Sequence, residues 1–254
     1  MGRTPTDELL NKHKNAANIK LNSYLDSLIN SNDPRLMAKA DKLCYWIEDW
    51  IKFLDYEPDF SPKSLRRYKR GEIIKVHLGF NVGSEEGGLH YAVVVDKNNA
   101  KTSPVVTIVP LTSVKPTTDI NNLKKGSIYL GNELFTNLNA KLSYSNRLLK
   151  ETVSALKERI DSLSVNSYLI ERATICQELN KATQELELLD RMKSEIMKMR
   201  IGSIALVNQI TTISKIRIYD PKTDHDILSG IKFSNEKLDL IDAEIANNFT
   251  NYKI

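Results

Sequence analysis

His90 follows the loop Gly83-Ser84-Glu85-Glu86-Gly87-Gly88 after one residue, Leu89, and Thr112 and Ser113 close an apolar stretch further along the chain. An imidazole can both take and give a proton near neutral pH, and hydroxyls can donate hydrogen bonds to oxygens that gain charge in a reaction. Glu85 and Glu86 form either an acid pair or two solvated loop carboxylates. Arg70 and Lys75 precede the loop, and the run Arg66-Arg67-Tyr68-Lys69-Arg70 reads either as a grip on a phosphate backbone or as a solvated linker. Each residue also has an inert reading: His90 as a hydrogen-bonded histidine at a strand start, Thr112 as an ordinary β-branched strand residue.

Rigid strands must hold such groups, because loops hung on a sheet are where binding and catalytic side chains sit. Strand patterning covers Glu72 to Leu78, Tyr91 to Asp96, Val105 to Pro110 and Ser127 to Leu130. In the first, Ile74, Val76 and Leu78 share one face while Lys75 and His77 take the other. Short strands with no helices between them predict a curled antiparallel sheet or small barrel. After Gly202 the pattern resumes with Ser203 to Ile210 and Ile213 to Tyr219, and Ser234 is placed to cap a closing helix bearing Leu238, Ile241, Ile245 and Phe249.

Helical periodicity surrounds and interrupts this sheet. A first helix is expected from Asp7 to Ile29, and Asn32-Asp33-Pro34 breaks it. Pro34 then opens a second helix, with Leu36, Leu43, Trp46, Ile47, Trp50 and Leu54 on one stripe. The two tryptophans are either a recognition surface or core or dimer contacts. Pro58, Ser61, Pro62 and Ser64 mark a connector. From Ser143 to Met199 there is neither Gly nor Pro, and leucines and isoleucines recur at threes and fours. The reading is a helical hairpin turning near Ser164 to Ser167, with one long helix as the alternative. The fold class is α+β: a helical extension over 1–65, then a β-domain over 66–254 interrupted by the hairpin at about 140–199.

The chain has 254 residues, a formal net charge of +4 and 27% charged residues. That permits an anionic partner but falls short of a dedicated nucleic-acid coat. Cys44 and Cys176 lie far apart, show no metal-ligand spacing and read as reduced buried thiols. The N-terminus lacks an apolar signal region and no apolar run is long enough for a bilayer, so no membrane association and a cytoplasmic location are expected.

Three segments in order carry a resemblance to a known family: the GSEEGG loop, the strand end Leu111-Thr112-Ser113, and Ser203 to Ile213. They resemble the MazF/PemK family of toxin ribonucleases, whose loop reads GSEQGG before Arg-Pro and whose later strand pair is of LEQIRTID type. The resemblance covers about 69–130 and 200–250, and leaves 1–65 and about 135–199 outside. It implies a small SH3-like antiparallel β-barrel that forms a homodimer and cleaves single-stranded RNA without metal or cofactor. The products would carry 2′,3′-cyclic phosphate and 5′-hydroxyl ends, and an antitoxin protein would hold the toxin inactive.

Carried over residue by residue, it implies His90 and Thr112 as catalytic and Ser84, Glu85, Ser113, Arg70, Lys75 and Gln209 as RNA-binding. The sequence departs from the family at the catalytic Arg, which is His90 here, and at the following Pro, which is Tyr91. A guanidinium is a fixed forked cation, whereas an imidazole can exchange protons with the 2′-hydroxyl and the leaving 5′-oxygen. The substitution is compatible with cleavage at some cost in steady phosphate stabilisation. Two other readings follow from the same resemblance: a non-catalytic toxin of CcdB type acting on DNA gyrase or another protein, and a toxin inhibited by its own helices.

Overall fold

Thr6 and Asp33 set the two N-terminal helices by accepting hydrogen bonds from Leu9 N at 3.4 Å and Arg35 N at 2.8 Å. Helix α1 spans Asp7–Ile29 and α2 spans Pro34–Tyr56, with Asn32 at positive φ in the turn between them. The computed structural model describes residues 5–163, 165–199 and 202–251, the side chains of 165–170 and 198 excepted. The chain divides into two compact units, Met1–Asp59 and Phe60–Ile254. In the first, the buried side chains are Leu28 and Ala40, and Trp46 packs against Phe53 at 6.2 Å between ring centroids.

The second unit is built on a mixed-length antiparallel sheet. Its strands are β1 Ile73–His77, β2 Leu89–Val94, β3 Val105–Ser113, β4 Ser127–Gly131, β5 Ser203–Leu206, β6 Thr211–Ser214 and β7 Ile218–Asp220. The order is β4-β5-β3-β2-β1-β7, and β6 also pairs with β3. β3 meets β2 along one edge. Its other edge is shared by β6 at Val105–Ile108 and β5 at Leu111–Ser113. The expected barrel is therefore an open sheet among the described residues, with β4 and β7 at its ends. Where two long strands were expected from 203 to 219, 3-10 turns at Val207–Gln209 and Lys215–Arg217 divide the segment into three short ones.

Alternation along the strands sorts the apolar residues onto two faces. Ile73, Val93, Val109 and Leu111 join Leu134, Leu138, Leu238 and Ile241 in one core, under helices α3 (Glu133–Asp161) and α5 (Asn235–Phe249). Ile74, Val76, Ala92, Val94, Val106 and Ile108 form the other with Leu65, Tyr68, Ile213 and Ile218. Ser234 caps α5 by accepting from Lys237 N, as the sequence predicts.

The insertion is a hairpin and not one long helix: α3 turns back into α4, Val165–Lys198. Leu149, Ala182 and Leu189 pack between them, and Arg159 binds both Glu171 and Glu178 at 2.7–2.9 Å. α3 begins ten residues before the expected Ser143, because Leu134 and Leu138 anchor its first turns in the sheet core. Of the expected turn, Ser164 lies outside the described residues, and 165–167 already belong to α4.

In the basic run before β1, Arg66 and Tyr68 are held within the fold while Arg67 and Lys69 are exposed. Tyr68 is fully buried and donates to Pro221 O at 2.7 Å. Arg66 forks onto Glu72 at 3.0 and 3.1 Å and reaches Asp224 at 2.9 Å. Burial pulls the Arg66 pKa down, and its hydrogen bonds to Glu72 and Asp224 reverse this, leaving it above its ordinary value. Cys44 and Cys176 are unpaired as expected, but both are exposed rather than buried, since each sits on the outer side of a helix.

Asp220, at the end of β7, accepts from Leu228 N at 2.8 Å. Burial raises its pKa above the ordinary carboxylate value, so the fold favours the neutral acid. Its stabilising contribution is present below the unfolded value and is lost as pH rises through the raised folded one. Asp220→Asn is accordingly expected to raise the urea midpoint at about pH 7 and to lose that advantage at about pH 3. A lower midpoint at neutral pH would contradict the assignment.

Candidate functional site

The glycine loop is held at both ends by backbone. Leu78 N donates to Gly88 O and Gly88 N to Gly79 O, each at 2.7 Å, which closes the β1–β2 connection. Gly88 takes φ of +83°, a region that side chains disfavour. At Gly87 a Cβ would lie 2.8 Å from Gly79 O, so the crossing admits only hydrogen there. Asn81 Nδ2 donates to Glu86 O at 2.6 Å, and Val82 N donates to the Glu85 carboxylate at 3.2 Å.

Gln209 stitches this loop to the far segment after the insertion. Its Oε1 accepts from Glu86 N and its Nε2 donates to Ser84 O, both at 3.2 Å. The residue expected to touch RNA therefore has its amide engaged by the loop backbone.

His90 lies opposite Val76 on β1. On β3 the pairing with β2 ends at Tyr91 and Leu111, the neighbours of His90 and Thr112. The imidazole is about a quarter exposed: Nε2 is 3.1 Å from Glu86 Oε1, and Nδ1 is 3.4 Å from Leu111 O. Leu89, His90, Thr112, Ser113 and Lys115 line one cleft of about 300 Å³. A second depression of about 380 Å³ lies beside it, lined by Asn81, Glu85, Glu86, Gln209 and Arg217. Glu86 connects the two, since it borders the second and contacts the imidazole of the first. Arg217 donates through Nε to His77 O at 2.8 Å, and burial lowers its pKa.

Arg70 and Lys75 are placed elsewhere. Lys75 opposes Tyr91, so it occupies the sheet face opposite to His90. There it binds Glu195 of α4, and Tyr91 donates its hydroxyl to the same carboxylate. Burial first, and then this hydrogen bond, raise the Tyr91 pKa. Arg70 binds Val95 O and Asp242 of α5. Both cations are thus neutralised on the helix-covered side.

The contact of Glu86 with the imidazole and the place of Lys115 in the cleft escaped the sequence reading. Glu86 approaches the imidazole because the loop curls back, although adjacent loop glutamates give no such signal. Lys115 follows β3 and lines the His90 cleft, and its ammonium makes no ion pair among the described residues. No group of three or more His, Cys, Asp or Glu side chains converges as a metal site among those residues.

The clamped glycine loop and this cleft lie within the part of the chain that matches a family model. Residues 69–185 match the PemK-like, MazF-like toxin of type II toxin-antitoxin systems. Over this stretch the chain is similar to PemK-like toxins. The match takes in β1 to β4, α3 and the first part of α4, and so runs further into the insertion than the loop and strand motifs do. Toxins of the PemK family are generally endoribonucleases, and a type II toxin implies an antitoxin partner. No curated protein matches the chain. No described helix is long and apolar enough to cross a membrane.

Proposed function

We propose that this PemK-like chain is a toxin-like, metal-independent endoribonuclease of a toxin-antitoxin system. It cuts single-stranded RNA by 2′-hydroxyl transesterification in the cleft between β2 and β3. The observation that carries this reading is the juxtaposition of His90 with Thr112, Ser113 and Lys115 around one opening. In the proposed reaction His90 moves the proton between the attacking 2′-oxygen and the leaving 5′-oxygen. Thr112 and Ser113 donate hydrogen bonds to the non-bridging phosphate oxygens, and Lys115 supplies the fixed positive charge that relatives take from arginine. Glu86 orients the imidazole and Gln209 holds the loop. Ser84 and Glu85 present the exposed loop rim to the RNA strand, in a groove formed within a homodimer.

The test is incubation of the purified chain with mixed-sequence RNA in excess EDTA, followed by mapping of the new ends. Fragments with 5′-hydroxyl and 2′,3′-cyclic phosphate ends are expected, and a 2′-deoxy nucleotide at the cut site should block cleavage because the nucleophile is absent. Absence of 5′-hydroxyl ends would remove the nuclease reading. Lys115→Ala is expected to lower kcat/KM by roughly ten- to a hundredfold, the worth of a charged hydrogen bond of about 1.5–3 kcal/mol. An unchanged value would return that role to another cation.

A further inference from the structure

The return helix of the insertion reaches the sheet on the face opposite to the His90 cleft. Met192, Glu195 and Ile196 stand at i, i+3 and i+4 on α4 and so share one side of it. Met192 is fully buried, and Ile196 joins the core under α3 and α5. Glu195 lies between them and takes two partners from the sheet, the Lys75 ammonium and the Tyr91 hydroxyl. Lys75 and Tyr91 sit opposite each other on β1 and β2. The ammonium also lies 5.4 Å from the Tyr91 ring centroid and 5.8 Å from that of Tyr219.

The Lys75 and Glu195 side chains are each 18% exposed. Taking two charges this far from water costs about what their pairing returns, so the pair adds little over apolar side chains of the same size. What it adds is direction, since charge-assisted hydrogen bonds to one carboxylate fix both donors. Tyr91 is the neighbour of His90, and successive side chains of a strand point to opposite faces. A tether on the Tyr91 hydroxyl therefore sets the turn of β2 about its own axis, and with it the aim of the imidazole. On its own face the ring has less to hold it: a contact with Glu86 of the loop and one of 3.4 Å with Leu111 O. Neither tether residue belongs to the family's pattern. Tyr91 stands in place of its Pro, and Glu195 lies beyond the matched residues 69–185.

We infer that Glu195 is a positioning residue for His90: acting through the Tyr91 hydroxyl, the inserted hairpin aims the imidazole into the cleft. The kinetic effect of this tether rests on the nuclease reading above, whereas its structural effect does not.

Two variants of the full chain cut the tether without stranding a charge. Tyr91→Phe removes the hydroxyl alone, and Lys75→Met with Glu195→Met replaces the ion pair by apolar side chains of similar length. The urea midpoint of the second should stay level or rise, while kcat falls about 10- to 100-fold in each, the cost of a misplaced reacting group. KM should stay within about twofold of wild type. Combining all three changes should lower kcat no further than either variant does, because one tether is cut only once. The 15N signals of the His90 ring, assigned against His90→Ala, should shift or broaden in both variants, although the changes lie on the far face of the sheet. Glu195 is no positioning residue if ring signals and kcat of Tyr91→Phe equal those of wild type, if the two losses multiply, or if KM rises at constant kcat. Should the wild type yield no 5′-hydroxyl ends, the nuclease reading falls, and the ring signals alone then decide for or against the tether.

Discussion

His90→Ala is expected to lower kcat for RNA cleavage by about 10²- to 10⁴-fold, the usual worth of a positioned proton-transfer group. KM should change little, because the hydroxyls of Thr112 and Ser113 and the ammonium of Lys115 remain at the cleft. The readout is the rate of 5′-hydroxyl end formation on a defined RNA, and a rate equal to wild type would exclude the imidazole from the chemistry. Two further variants separate its roles. Glu86→Gln keeps a hydrogen-bonding partner 3.1 Å from Nε2 but removes the charge. If Glu86 orients the ring, kcat falls by less than in His90→Ala and the pH profile shifts. His90→Arg restores the family's guanidinium, which cannot exchange protons near neutrality. Its rate should lose the limb of the pH profile that an imidazole supplies.

Glu72→Ala is expected to destabilise the chain by about 3–5 kcal/mol, as removal of one partner from a buried pair does. The Arg66 and Glu72 side chains are only 10% and 7% exposed. The Glu72 carboxylate also accepts from Lys69 N at 2.8 Å, so its loss leaves both Nη groups of Arg66 and a backbone donor without an acceptor, with Asp224 alone still holding Nε. Glu72 holds the entry to β1 in a second way, through its bridge to Lys232 before α5. Urea unfolding followed by circular dichroism measures the effect, and Glu72→Gln should cost less because one acceptor survives. A change below about 1 kcal/mol in the alanine variant would show the pair to be solvated.

The parts of this molecule that were legible in the sequence are those governed by local rules. Helix α1, Pro34 at the head of α2 and the Ser234 cap follow from capping chemistry, and the strands flanking the glycine loop follow from alternation. What was not legible depends on pairing across long separations. Lys75 and Arg70 meet Glu195 and Asp242 at separations of 120 and 172 residues, and no spacing rule connects them. The same holds for Gln209, whose loop partners lie 123 and 125 residues away. Lys115 enters the cleft only through the direction in which the chain leaves β3. The division of 203–219 into three short strands was not foreseen either, because the 3-10 turns between β5, β6 and β7 lack the Gly or Pro that usually announces a break.

Gly131 at the end of β4 pairs directly with Ser203 at the start of β5, although the whole helical insertion lies between them. Departure and return thus occur on a single rung of the ladder. Lengthening or trimming the excursion by whole helical turns leaves the register of every other strand untouched. The excursion can therefore change in length without moving the cleft between β2 and β3.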